Sequence, residues 1–169
     1  CPYDDEGTRA RDTSLVKNGV LTGRLHSAAT AAALDEAVTG NARAISFEFE
    51  PIVRMTSTWI AGGTDTFESL LRGAEGGLYI PDFFHGSGMS TFTIAPARAY
   101  RIRGGKPAEP VLVSVISGNV MQTLHQIDGA TAETELHSLF TGGCGKMEQW
   151  PLRVAFGGPY LRVRGLKVQ

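Results

Sequence analysis

The segment "LVKNGVLTG" leaves the backbone little choice. Asn18 and Gly19 stand between two short apolar runs, and Asn-Gly tolerates positive φ at both central positions of a type I′ turn. The chain there is predicted to reverse into a hairpin. Similar punctuation recurs: glycine numbers 21 and falls at turn positions. "ARAYRIRGGKPAEPVLVSVIS" predicts a second reversal at Gly104-Gly105, between Ala99–Arg103 and Val111–Ile116. "ISFEFE" alternates apolar and polar side chains from Ile45 to Glu50, the period of a half-buried strand. Pro51 then marks an edge or a bend. "LRVAF" and "YLRVRGLKV" predict two further strands.

Helical signals are fewer. Ser27 is placed to cap "AATAAALDEAV". Asp65 precedes Glu68 by three residues in "DTFESLLRG", a capping-box spacing, with Gly73 as the stop. "NVMQTLHQID" sets Val120, Leu124 and Ile127 on one helical face. These patterns predict an α+β fold of predominantly antiparallel β-sheet, barrel-like or sandwich, with about three short helices. No repeat, low-complexity tract or linker divides residues 1–169, which are read as a single domain.

Composition narrows the function. Apolar residues make up 42% of the chain, enough for a core. The balance of 16 basic against 17 acidic residues holds no basic stripe, so no nucleic-acid contact is inferred. No apolar run approaches the roughly 18 residues of a membrane span, so no membrane partner is expected. Cys1 and Cys144 are far apart and make no disulfide framework, so the reading is a reduced, cytoplasmic protein.

Cys144 is the residue that asks for chemistry. It lies in "TGGCGKMEQ", among Gly142, Gly143 and Gly145, with Lys146 close by. A thiolate acts as a nucleophile or a metal ligand, and both roles need access and a stabilised charge. Glycine gives access and lysine gives charge; an inert cysteine in a turn fits the residues equally well. His26, His85, His125 and His137 form no His-Glu-x-x-His and no close pair, so the chain has no local zinc signature. Each is read as structural or solvated. Asp4, Asp5 and Glu6 in "YDDEGT" are read as a solvated loop or as groups orienting a neighbour. "HGSGMS" lacks the lysine and spacing of a phosphate loop, and Ser87, Ser90 and Ser117 lack a nucleophile-elbow context.

Several stretches, collinear and nearly chain-long, carry a resemblance. They run from "PYDDEGT" through "VKNGVLTGRLHSAATAA", "TGNAR" and "RMTSTWI", then "ARAYRIRGGKPAEPV", "ISGNVMQTLHQID" and "GGCGKMEQ", to "GGPYLRVRGLKV". In this order they resemble the C-terminal part of the TldD/PmbA family, named as modulators of DNA gyrase and similar to zinc metallopeptidases. The resemblance implies a zinc ion held by two histidines of a His-Glu-x-x-x-His helix and by the cysteine of a Cys-Gly-Lys loop. Cys144 matches that cysteine and puts the chain on the TldD side, since the PmbA-like branch lacks it. The histidine helix is absent from this chain; in the family it lies upstream of the "YDDEG" stretch. The resemblance therefore implies one metal ligand here, Cys144, no catalytic residue, and no activity for this chain alone. It also implies a peptide or unfolded-protein substrate, and a PmbA-like subunit or a second copy as partner. Two segments, "FFHGSGMSTFTIAP" and "DGATAETE", depart from the family pattern. The alternatives are a peptide-binding module without catalysis and a cysteine hydrolase with Cys144 as nucleophile.

Overall fold

The computed structural model describes residues 2–139 and 142–169. Cys1, and Thr141 at the head of the glycine-rich stretch, lie outside the described residues. The chain divides into two compact units, residues 1–59 with 136–157 and residues 60–135 with 158–169.

In chain order, the first unit opens with β1 (Val16–Lys17), β2 (Val20–Leu21), α1 (Ala28–Leu34), β3 (Ala42–Arg43), β4 (Ile52–Val53) and β5 (Ser57–Trp59). The second unit holds α2 (Phe67–Arg72), β6 (Leu78–Gly88), β7 (Thr91–Arg103), β8 (Lys106–Pro110), β9 (Ile116–Asn119), α3 (Val120–His125) and β10 (Ile127–Ala130). The chain then returns to the first unit with β11 (Glu135–Ser138), β12 (Cys144–Lys146), β13 (Gln149–Leu152) and β14 (Ala155–Gly158). It closes in the second with β15 (Leu161–Val163) and β16 (Lys167–Val168).

In the first unit β1 and β2 form the expected hairpin, with Asn18 at φ 52° and Gly19 at φ 76°. Ser27 caps α1: its side chain accepts from Thr30 N, and Thr30 Oγ1 accepts from Ser27 N. The helix is shorter than its alanine run predicts, because Asp35 turns left-handed at φ 53°. The predicted strand over Ile45–Glu50 is not one. The ladder lies on either side of it, pairing Ala42 with Val53 and Arg43 with Ile52. Phe47 is 98% exposed, so the alternation had no face to bury. The loop is held from elsewhere, since Gln149 accepts from Ile45 N and donates to Glu50 O, both at 2.9 Å. β11, β14 and β5 form a three-stranded sheet in that order, with β14 and β5 parallel.

The second unit is built on the long β6–β7 hairpin, within a sheet ordered β16-β9-β7-β6 with β8 also on β7. The reversal at Gly104-Gly105 occurs with φ of 56° and 69°. Its return strand is β8, earlier than the predicted Val111–Ile116. Val113 instead joins Ala99 and Ile116 in the core, with Leu78, Ile80, Val111 and Leu166 packed around them. The cap of α2 is Thr66 and not Asp65; Asp65 instead accepts from Ala130 N at 3.1 Å. α3 ends at His125, so Ile127 lies on β10 opposite Val163 and not on the helix.

The predicted α+β class holds, with three short helices and mostly antiparallel strands. Among the described residues the strands group into six sheets, none closed into a barrel. Among the described residues no helix is long and apolar enough to cross a membrane.

Candidate functional site

Cys144 begins β12, where it pairs with Leu152 of β13, and Lys146 pairs with Gln149. The glycines beside it have a different task from the one their spacing suggests. Gly143 sits at φ 153°, and a Cβ there would lie 2.3 Å from Leu152 O. A Cβ on Gly145 would lie 3.0 Å from the Trp150 ring. They let β12 run close to β13. Lys146 is also employed elsewhere, donating to Val53 O at 2.8 Å.

Two arginines that the sequence reading passed over surround the cysteine. Arg54 follows β4 and is 2% exposed. It donates through Nη2 to Cys144 O at 2.6 Å and through Nη1 to Gln149 O at 3.3 Å. Arg43, on β3, donates to Met55 O and to Arg153 O. Burial pulls the Arg43 guanidinium below its ordinary value; Asp5 and Cys144 oppose that shift and Arg54 adds to it. So Arg43, Arg54, Asp5 and Cys144 share one electrostatic neighbourhood. The sequence signal for Arg54 is faint: one arginine at the end of the apolar run "PIV".

Arg43 also lines an open cleft of about 410 Å³ in the first unit, with Tyr3, Asp5, Ser57, Ser138 and Arg153 among the other lining residues. The acidic cluster next to it is an anchor. Asp4 accepts from Thr8 N and Ala42 N, Asp5 from Ala44 N, and Glu6 from Ala28 N. Among the described residues the histidines and Cys144 form no group of three that could hold a metal ion. His26 is 2% exposed, hydrogen-bonded to Thr30 Oγ1 at 3.0 Å and Glu36 Oε2 at 2.9 Å. Glu36, which also pairs with Arg24, is held below the usual carboxylate range by the His26 hydrogen bond, with Arg24 adding to it. His137 packs against Phe156. His85 lies on β6 and His125 ends α3.

The residues present fit one corner of a metal site. Cys144 is half-buried, its sulfur is a soft donor of the kind zinc takes, and its carbonyl is held by Arg54. Among the described residues no group of three or more His, Cys, Asp or Glu could hold a metal ion. A site built on Cys144 needs donors from outside these residues.

A family model described as the PmbA/TldA metallopeptidase C-terminal domain matches residues 1–169. The chain belongs to this family. A metalloprotease of Synechocystis sp. is 44% identical over 98% of the chain and 36% of its own length. A zinc metalloprotease TldD homolog of Saccharolobus solfataricus is 33% identical over 98% of the chain and 37% of its own length. The chain therefore spans little more than a third of the curated relatives it matches. Among solved structures, TldE from Thermococcus kodakarensis superposes with a TM-score of 0.78 at 19% identity, over 99% of this chain and 36% of that one. A Thermotoga maritima protein, described as a candidate modulator of a DNA gyrase, gives 0.71 at 22%, over 100% of this chain and 35% of that one. At these identities the likeness is one of fold.

Proposed function

We propose that this family member supplies one zinc ligand, Cys144, to a metallopeptidase that acts on peptides or unfolded proteins. The two histidine ligands and the general-base glutamate come from outside the chain. The observation that carries the reading is the placement of Cys144: half-buried, on a hairpin whose backbone a buried arginine holds. Relatives named metalloproteases, one of them a zinc metalloprotease, support the metal. Zinc at such a site lowers the pKa of a bound water and polarises a carbonyl. The chain's own part is to present the thiolate and to receive substrate. β5 lies at the edge of its sheet and Ser57 lines the cleft, which suits an extended peptide pairing through its backbone. The partner is a homologous PmbA-like subunit or a second copy, and the location is cytoplasmic, in keeping with a reduced thiol.

The test is Cys144→Ala and Cys144→Ser in the complete protein, with zinc content and peptide turnover measured together. Both variants are expected to lose zinc and activity while remaining folded. Full zinc occupancy with lost turnover would favour a cysteine nucleophile. Unchanged zinc and turnover would show that Cys144 is not a ligand.

A further inference from the structure

The geometry points to Arg54 as the positioning residue that sets where the Cys144 thiol stands. The inference rests on the reading of Cys144 as a metal ligand. Arg54 is 2% exposed, and among the described residues it makes no ion pair with a carboxylate. Its Nε has no hydrogen-bond partner among the described residues. A guanidinium buried on those terms is costly, since charge leaves water without a matching anion. What it receives is two carbonyls, Cys144 O at 2.6 Å and Gln149 O at 3.3 Å, one from each strand of the β12–β13 hairpin. Arg54 is itself fixed at the backbone: its N–H donates to Asn41 O at 2.8 Å, and its carbonyl accepts from Asn41 Nδ2 at 3.2 Å. Asn41 is likewise buried.

This arrangement links β4 to the backbone of the cysteine through a rigid planar fork. A fork spans two carbonyls at fixed separation; a lysine ammonium, a point donor on a flexible stem, does not hold both in one plane. The Cys144 Cα–Cβ bond leaves the same residue whose carbonyl Arg54 grips, so the clamp fixes the direction of that bond and the arc on which the sulfur can stand. Groups that orient a metal ligand from behind typically govern metal affinity by about 10–100-fold.

The experiment uses the complete protein, with zinc affinity measured by competition against a chromophoric chelator. The thiolate-to-metal charge-transfer band after cobalt substitution is a second readout, independent of turnover. Arg54→Met is expected to weaken zinc by about tenfold or more and to alter the band, with Arg54→Lys intermediate. Gln149→Ala removes two buried anchors of the same hairpin, to Ile45 and Glu50, without touching the Cys144 carbonyl. It is expected to lower stability while keeping zinc affinity within about threefold of the parent, well short of the loss typical of an orienting group. The proposal is overturned if Arg54→Met binds zinc like the parent, or if Gln149→Ala weakens zinc as much as Arg54→Met. Should Arg54→Met fail to fold, Arg54→Lys decides alone, and parent-like affinity and band would overturn the proposal. If Cys144→Ala also keeps its zinc, it is the ligand assignment that has failed.

Discussion

A methyl group on Gly143 would sit 2.3 Å from the Leu152 carbonyl oxygen, at a backbone φ of 153° that a side chain rarely adopts. Gly142, at φ 90°, faces open space. The two glycines are alike in sequence and differ in what they must avoid. Gly143→Ala is expected to cost about 2 kcal/mol or more, from strain and collision together. Gly142→Ala is expected to cost only about 1 kcal/mol, from strain alone. Urea unfolding of the two variants checks this; equal losses would mean that β13 yields to a side chain at 143. The residue scale also explains what the sequence concealed at "YDDEGT". Three neighbouring carboxylates read as a solvated loop or as groups orienting a neighbour; in the fold Asp4, Asp5 and Glu6 each accept at least one backbone N–H from residues 22 to 39 positions away. No local pattern encodes a partner at that separation.

Elements formed where their signals were local. Ser27 and Asn119 cap α1 and α3, and Asn18-Gly19 turns β1 into β2, because each device acts within a few residues. Signals failed where a distant strand decided. Ile45–Glu50 alternates like a strand and remains a loop, since the ladder took the residues on either side. Ile127 continues a helical face and instead pairs with Val163. That β10–β15 pairing carries a pH dependence. Asp128 on β10 accepts from Arg162 Nε and Arg164 Nε, each at 2.6 Å. These hydrogen bonds, Arg162 first, hold its carboxyl below the ordinary value of 3.8. A carboxylate lowered on folding stabilises above its unfolded pKa, and that contribution disappears as pH falls through the folded one. Asp128→Asn should therefore unfold at lower urea than the parent at neutral pH, with the gap closing below pH 3.8. A gap that is unchanged in acid would show that the two arginines gain nothing from the charge.

At the scale of the whole molecule, the two units are built by different means. In the first unit the buried side chains are largely polar: His26, Ser27, Thr39, Asn41, Arg54 and Gln149 beside Ala31, Ala42, Leu152 and Val154. In the second unit they are mainly apolar, with Leu70, Leu71, Ala99, Ile102, Val113 and Ile116. The metal-binding part of the reading falls in the first, polar unit. Because the proposed site draws its histidines and its glutamate from outside the chain, this chain alone is expected to cleave no peptide. Incubation with an unfolded protein and added zinc checks it; chelator-sensitive cleavage at enzymatic rates would prove the site self-sufficient. The sequence by itself determined the hairpin turns, the Ser27 cap of α1, the α+β class and the singling out of Cys144. These rest on φ preferences, capping over three residues and one chemically distinct side chain, all local properties. Only the tertiary structure decided that two chain segments make each unit, and that Arg54 is buried against the carbonyls of residues 90 and 95 positions away. Such pairings depend on which distant backbone has an unsatisfied acceptor once the strands have chosen their partners, and no window of sequence contains both ends of that bond.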